Sequence, residues 1–154
     1  MNARLNIAIR VDASLKIGSG HVMRCLTLAQ ELRAQGAEVT FICRTFEGNL
    51  CDYIESQKFS VLRLGLTDSK PNTDGLFHSP WLTVSTETDA AQTSNVLKAQ
   101  GLNPDWLIVD HYALDYRWQD LVKPHYKKLM VIDDLADRKH HCDLLLDQNF
   151  YYLG

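Results

Sequence analysis

Leu5-Asn6-Ile7-Ala8-Ile9-Arg10-Val11, followed by Asp12-Ala13-Ser14 and Ile17-Gly18-Ser19-Gly20-His21, is the stretch whose reading decides the fold. A short apolar run breaks into a polar turn that holds two glycines. From His21 to Arg33 the period changes. Val22, Cys25, Leu26, Ala29 and Leu32 recur at helical spacing, with Gln30, Glu31 and Arg33 off the stripe. Gly36 stops this helix, and Glu38 to Cys43 reads as a second strand. A strand, a glycine turn, a helix and another strand form the opening of an α/β fold.

The same alternation continues outward. Gly48 to Gln57 reads as a short helix and Phe59 to Leu64 as a third strand. From Gly65 to about Ser85 the signals are turn-like (Lys70-Pro71-Asn72, Asp74-Gly75, Ser79-Pro80), which predicts a long loop. Thr86-Glu87-Thr88-Asp89 has the form of a capping box, opening a helix that runs to about Gln100 before Gly101. Asp105 to Asp110 reads as a fourth strand, Asp115 to Val122 as a helix, Lys127 to Asp133 as a fifth strand and Asp143 to Asp147 as a sixth. Unbroken apolar runs such as Leu107-Ile108-Val109 and Leu144-Leu145-Leu146 fit parallel strands covered on both faces. The expected architecture is one α/β domain over residues 1–154, with a doubly wound, Rossmann-like parallel sheet.

Composition narrows the function classes. The chain has 154 residues, 45% hydrophobic and 23% charged, with a formal charge of −3. Basic and acidic residues are interspersed, which argues against a nucleic-acid partner, since that would need a basic patch or stripe. No apolar run approaches the 18 or so residues of a membrane span. Met1 to Leu5 leads straight into the first strand without a signal-peptide pattern, so a cytoplasmic protein is expected. The four cysteines form no C-x-x-C pair. They are expected reduced and mostly buried, with no zinc site.

Polar residues gather where strands end: Asp12 and Ser14, Asp110-His111-Tyr112, Asp133-Asp134, then Asp147 and Asn149. In an open parallel sheet these ends share one edge, where ligands bind. Any single Asp here serves equally well as a helix cap or turn residue; together the clusters favour a ligand-binding edge. The Gly18-Ser19-Gly20 turn precedes a helix amino terminus, a place that suits a phosphate, though a turn allowing tight packing explains the glycines equally well. It is not G-x-G-x-x-G, so ordinary dinucleotide binding is poorly supported. His21 stands where positive charge is disfavoured, so its pKa is expected to fall, as a general base requires. Arg24, one turn on, is placed to contact an anionic group. Asp137 with His140-His141-Cys142 looks metal-like but lacks paired ligand spacing. The Asp133-Asp134 pair follows the fifth strand, which excludes a receiver-domain reading.

Five stretches in order carry a family resemblance: Arg10 to Ser14, Ile17 to Leu26, Val109-Asp110-His111-Tyr112, Ile132 to Ala136, and His141 to Asn149. They resemble the UDP-sugar hydrolases of pseudaminic acid biosynthesis. The resemblance implies a glycosyltransferase-B fold related to the MurG transferase, with two Rossmann-like domains flanking a cleft. It implies hydrolysis of a UDP-linked 2,4-diacetamido-2,4,6-trideoxyhexose, by water attack at the anomeric carbon with inversion and no metal or cofactor. His21 matches the general base, and Tyr112 a second active-site group that positions water or sugar. We assign Asp12 to orient His21 or a sugar hydroxyl. Gly18, Ser19 and Gly20 are expected to face pyrophosphate or sugar, and Arg24, Asp110, His111 and Asn149 to line the substrate side. In this family most UDP contacts come from a carboxy-terminal domain, and this chain stops about where the first domain should end. A fragment lacking the uridine pocket is therefore expected. The competing expectations are a MurG-like glycosyltransferase and a non-catalytic nucleotide-sugar binding module.

Overall fold

A computed structural model describes residues 4–66, 76 and 78–147. The strands are β1 (Asn6–Val11), β2 (Glu38–Arg44), β3 (Ser60–Leu64), β4 (Trp106–Asp110), β5 (Lys128–Ile132) and β6 (Leu144–Leu146). The α-helices are α1 (Gly20–Ala34), α2 (Cys51–Ser56), α3 (Thr86–Ala99) and α4 (Tyr116–Val122). All strand pairs are parallel, in the order β3-β2-β1-β4-β5-β6. That order is the doubly wound, Rossmann-like sheet.

Alternation along the strands sorts the core into two layers. Ile7, Ile9 and Val11 of β1 pack with Val22, Cys25, Leu26 and Ala29 of α1. Ala8, from the same strand, faces the opposite layer with Leu97, Leu107, Val109 and Trp118. The α1 stripe is the one expected from its period. Gly36 ends the helix at φ 97°, with Gly36 N–H bonding Arg33 C=O and Ala37 N–H bonding Leu32 C=O. This is a Schellman ending, which favours glycine because of the left-handed backbone.

Three expectations are corrected. The α3 cap is Ser85, whose hydroxyl accepts the Thr88 N–H; Asp89 does not cap but turns inward. The long loop gives way at its carboxyl end to a short 3₁₀ turn, Ser79–Trp81, followed by the fully buried Leu82 and Val84; residues 67–75 and 77 lie outside the described residues. Leu144, Leu145 and Leu146 are 50%, 53% and 40% exposed instead of covered. No helix links β5 to β6, and among the described residues β6 pairs with β5 alone at the sheet edge. The apolar run therefore made the strand, but the described residues leave its leucines about half exposed.

Charge is buried between the sheet and α3. Arg10 alternates to the α3 face of β1, where its guanidinium bonds Asp12 at 2.6 Å and Asp89 at 2.7 Å. Arg44 reaches the same Asp89 at 2.8 Å, and Trp118 Nε1–H donates to it at 2.8 Å. Two arginines and two aspartates balance, as fully buried charges must.

Candidate active site

The site lies where the sheet reverses direction. Val11, at the end of β1, is in register with Asp110, at the end of β4. The chain leaves β1 into α1 on one face of the sheet and reaches β4 through α3 on the other, which makes this the switch point. The turn after β1 is held by the Ile17 N–H on Ser14 Oγ and the Gly18 N–H on Ser14 C=O, both at 2.8 Å. Gly18 has φ 82°, which favours glycine. Gly20 has no positive φ, and a Cβ there would meet nothing within 4 Å among the described residues, so the space above the helix start is open to them. Ser19 provides no side-chain cap. The first N–H groups of α1 and its positive end face that space.

His21, on the first turn of α1, meets Asp110 rather than Asp12. Its Nδ1 lies 2.7 Å from Asp110 Oδ1. A carboxylate can only accept, so Nδ1 carries a proton in this bond. Arg24, one turn along, clamps the same carboxylate with Nε at 2.5 Å and Nη2 at 2.6 Å. Burial pushes the Asp110 carboxyl up, but the bonds from Arg24 and His21 outweigh it and hold it below its ordinary value. Asp110 is fully buried as a side chain, whereas His21 and Arg24 stay 11% and 20% exposed. The carboxylate thus holds the ring from beneath.

Asp12, expected to orient His21, is engaged elsewhere. It accepts from Arg10, from the Arg44 backbone N–H at 2.7 Å and from His111 Nε2 at 2.9 Å. His111 takes the Ala113 N–H on Nδ1 at 3.1 Å, which fixes its Nε2–H tautomer. Asp12 and His111 therefore form the buried floor of the crevice, and the structure places neither carboxylate oxygen of Asp12 against His21.

Tyr112 stands edge-on to His21, ring centroids 4.5 Å apart. Its hydroxyl donates to Asp134 at 2.5 Å. Burial, then this bond, pushes the phenol up to about 12, so it remains a donor near neutrality. Trp81, absent from the sequence reading, stacks on Tyr112 at 5.6 Å and 28° and lies 6.1 Å from His21. His78 packs against both Trp81 and Tyr112. The only sequence signal was an aromatic residue in an otherwise turn-like stretch. Ile17, Trp81 and Tyr112 line the crevice together with His21, Asp12, Asp110 and His111.

His140 donates to Asp133 at 2.8 Å and accepts from Gln119 at 2.8 Å, and His141 pairs with Asp120. These bonds tie the β5–β6 connection to α4. Asn149 lies outside the described residues.

No protein-family profile matches the chain. A curated relative, the UDP-2,4-diacetamido-2,4,6-trideoxy-beta-L-altropyranose hydrolase of Campylobacter jejuni, is 29% identical over 148 residues, 96% of this chain. This chain resembles a UDP-sugar hydrolase. It spans 43% of that relative's length. Among solved structures, LpCGTa in complex with UDP matches with TM-score 0.55 at 19% identity, covering 84% of this chain and 30% of that one. That likeness concerns the fold alone. The fold is a Rossmann-like domain of the glycosyltransferase-B type.

Proposed function

We propose that this chain is the histidine-bearing domain of a UDP-sugar hydrolase, which splits a UDP-linked 2,4-diacetamido-2,4,6-trideoxyhexose into UDP and the free sugar. The observation that carries this reading is the His21–Asp110 pair at the switch point, set on the open amino terminus of α1. The similarity to the Campylobacter hydrolase supports it.

In this scheme Asp110 keeps the proton on Nδ1, so Nε2 takes a proton from water. The water oxygen bonds to the anomeric carbon as the carbon–oxygen bond to the diphosphate breaks. UDP departs with both electrons of that bond, and attack from the opposite face inverts the anomeric centre. The α1 amino terminus offers N–H groups and a positive end to the developing diphosphate charge. Arg24 fixes Asp110 and adds positive charge beside it. Tyr112, as a neutral phenol, orders the water or a sugar oxygen. A further domain supplies the uridine pocket, in line with the 43% span of the relative.

The test uses the full-length polypeptide that carries this sequence. His21→Asn should lower UDP release by about 10²–10⁴-fold, the range of a general base, while substrate affinity stays within about 2-fold. Wild-type turnover in the variant would remove His21 from the mechanism. UDP release that required an added acceptor would make the protein a transferase instead.

A further inference from the structure

Beside the His21 crevice lies a second pocket of about 220 Å³, lined by Ser14, Leu15, Ile17, Phe46, Pro80 and Trp81. Ile17 and Trp81 line both spaces, so these two side chains form the partition between them. The pocket sits over the carboxyl ends of β1 and β2, on the ligand edge of the sheet. Its walls are mostly apolar, while Lys16 and Glu47 stand among its lining residues as a donor and an acceptor.

The pocket is built in, not an accident of loose loops. The Leu15 N–H donates to the Glu47 C=O at 3.0 Å, tying the loop after β1 to the loop after β2. Gly48, at φ 83°, lets them approach, because a Cβ there would lie 2.8 Å from the Leu15 backbone nitrogen. Phe46 is buried beneath the tie.

Size decides the class of occupant. Pockets that hold whole drug-sized ligands run to about 300–1,000 Å³. At about 220 Å³ this one suits a substituent of a ligand whose reacting carbon lies next door. Apolar walls with a donor and an acceptor match an acylamino group, whose methyl needs an apolar surface and whose amide needs both partners. We propose that this pocket is the subsite that recognises an acetamido arm of the sugar, with Trp81 as its specificity-determining wall. The inference rests on the hydrolase reading and adds the origin of sugar selectivity to it.

The experiment compares the full-length polypeptide with its Leu15→Trp and Trp81→Ala variants. The probes are the UDP-linked diacetamido-trideoxyhexose and the same nucleotide sugar with free amines in place of the acetamido groups. Leu15 lines the pocket and is 74% exposed, so an indole there is expected to narrow the pocket without entering the core. Leu15→Trp is expected to raise KM for the acetylated sugar by about 10-fold or more, the scale of a misfitted apolar contact. Its kcat and its inhibition by free UDP should stay near wild type. Trp81→Ala should lose the preference for the acetylated sugar. Wild-type selectivity in both variants overturns the subsite and leaves the hydrolase standing. No UDP release by the unmodified protein from either sugar overturns both.

Discussion

At the scale of single residues, the chemistry depends on which atom of each ring carries a proton. Asp110 and Arg24 form a buried carboxylate–guanidinium clamp beneath His21, and the clamp dictates the tautomer of His21. Asp110→Asn offers an amide that can present its N–H to Nδ1, which turns Nε2 into the proton-bearing nitrogen. We expect kcat for UDP release to fall by about 10²–10⁴-fold with KM nearly unchanged. A matching rise in KM would instead mark Asp110 as a substrate contact. In the proposed mechanism Asp110 acts through His21, as a positioning residue. Sequence made His21 and Tyr112 visible, because a glycine turn before a helix and a polar strand end are local patterns. The partner of His21 was not visible. Asp12 is nearer in sequence, yet Asp110, 89 positions away, meets the ring because β1 and β4 are neighbours in the sheet.

At the scale of elements, α3 is fastened to the sheet by charge as much as by apolar packing. Asp89, read as a capping acid, projects from the first turn into Arg10, Arg44 and the Trp118 indole. Burial pushes the Asp89 carboxyl up, but Arg10 and Arg44 outweigh it and hold it low; Asp12 is likewise held below the carboxylate range, with burial outweighed by Arg10 and His111. A carboxyl depressed on folding stabilises the native state above its unfolded pKa, and that contribution is lost as pH falls through the folded value. Stability should therefore hold from neutrality down to about pH 4 and decline below it. Asp89→Asn leaves two buried guanidiniums facing one aspartate, so a loss of about 3 kcal/mol is expected, or roughly 6–12 °C in Tm. Thermal melts of wild type and variant at neutral and acidic pH check both points. The gap between them should narrow at the acid end, and a gap that widened would contradict the assigned role.

At the scale of the whole molecule, the two cavities described at the switch-point edge, the His21 crevice and the neighbouring pocket of about 220 Å³, are smaller than a whole nucleotide needs. Isothermal calorimetry of these 154 residues alone with UDP should show no tight binding. Tight, uridine-dependent binding would place the nucleotide on this domain and revise the proposed division of labour. The apolar period, the glycine stops at Gly36 and Gly101 and the order of strands and helices were legible in the sequence, because each depends on residues within a turn or two of one another. So was the gathering of polar side chains at one sheet edge, which follows from parallel topology. Only the tertiary structure decided that Asp110 rather than Asp12 holds His21, that Trp81 walls the crevice, and that the leucines of β6 stay exposed. Each of these is a relation between segments far apart along the chain. Local propensity carries no information about which distant segments become neighbours, and packing alone settles it.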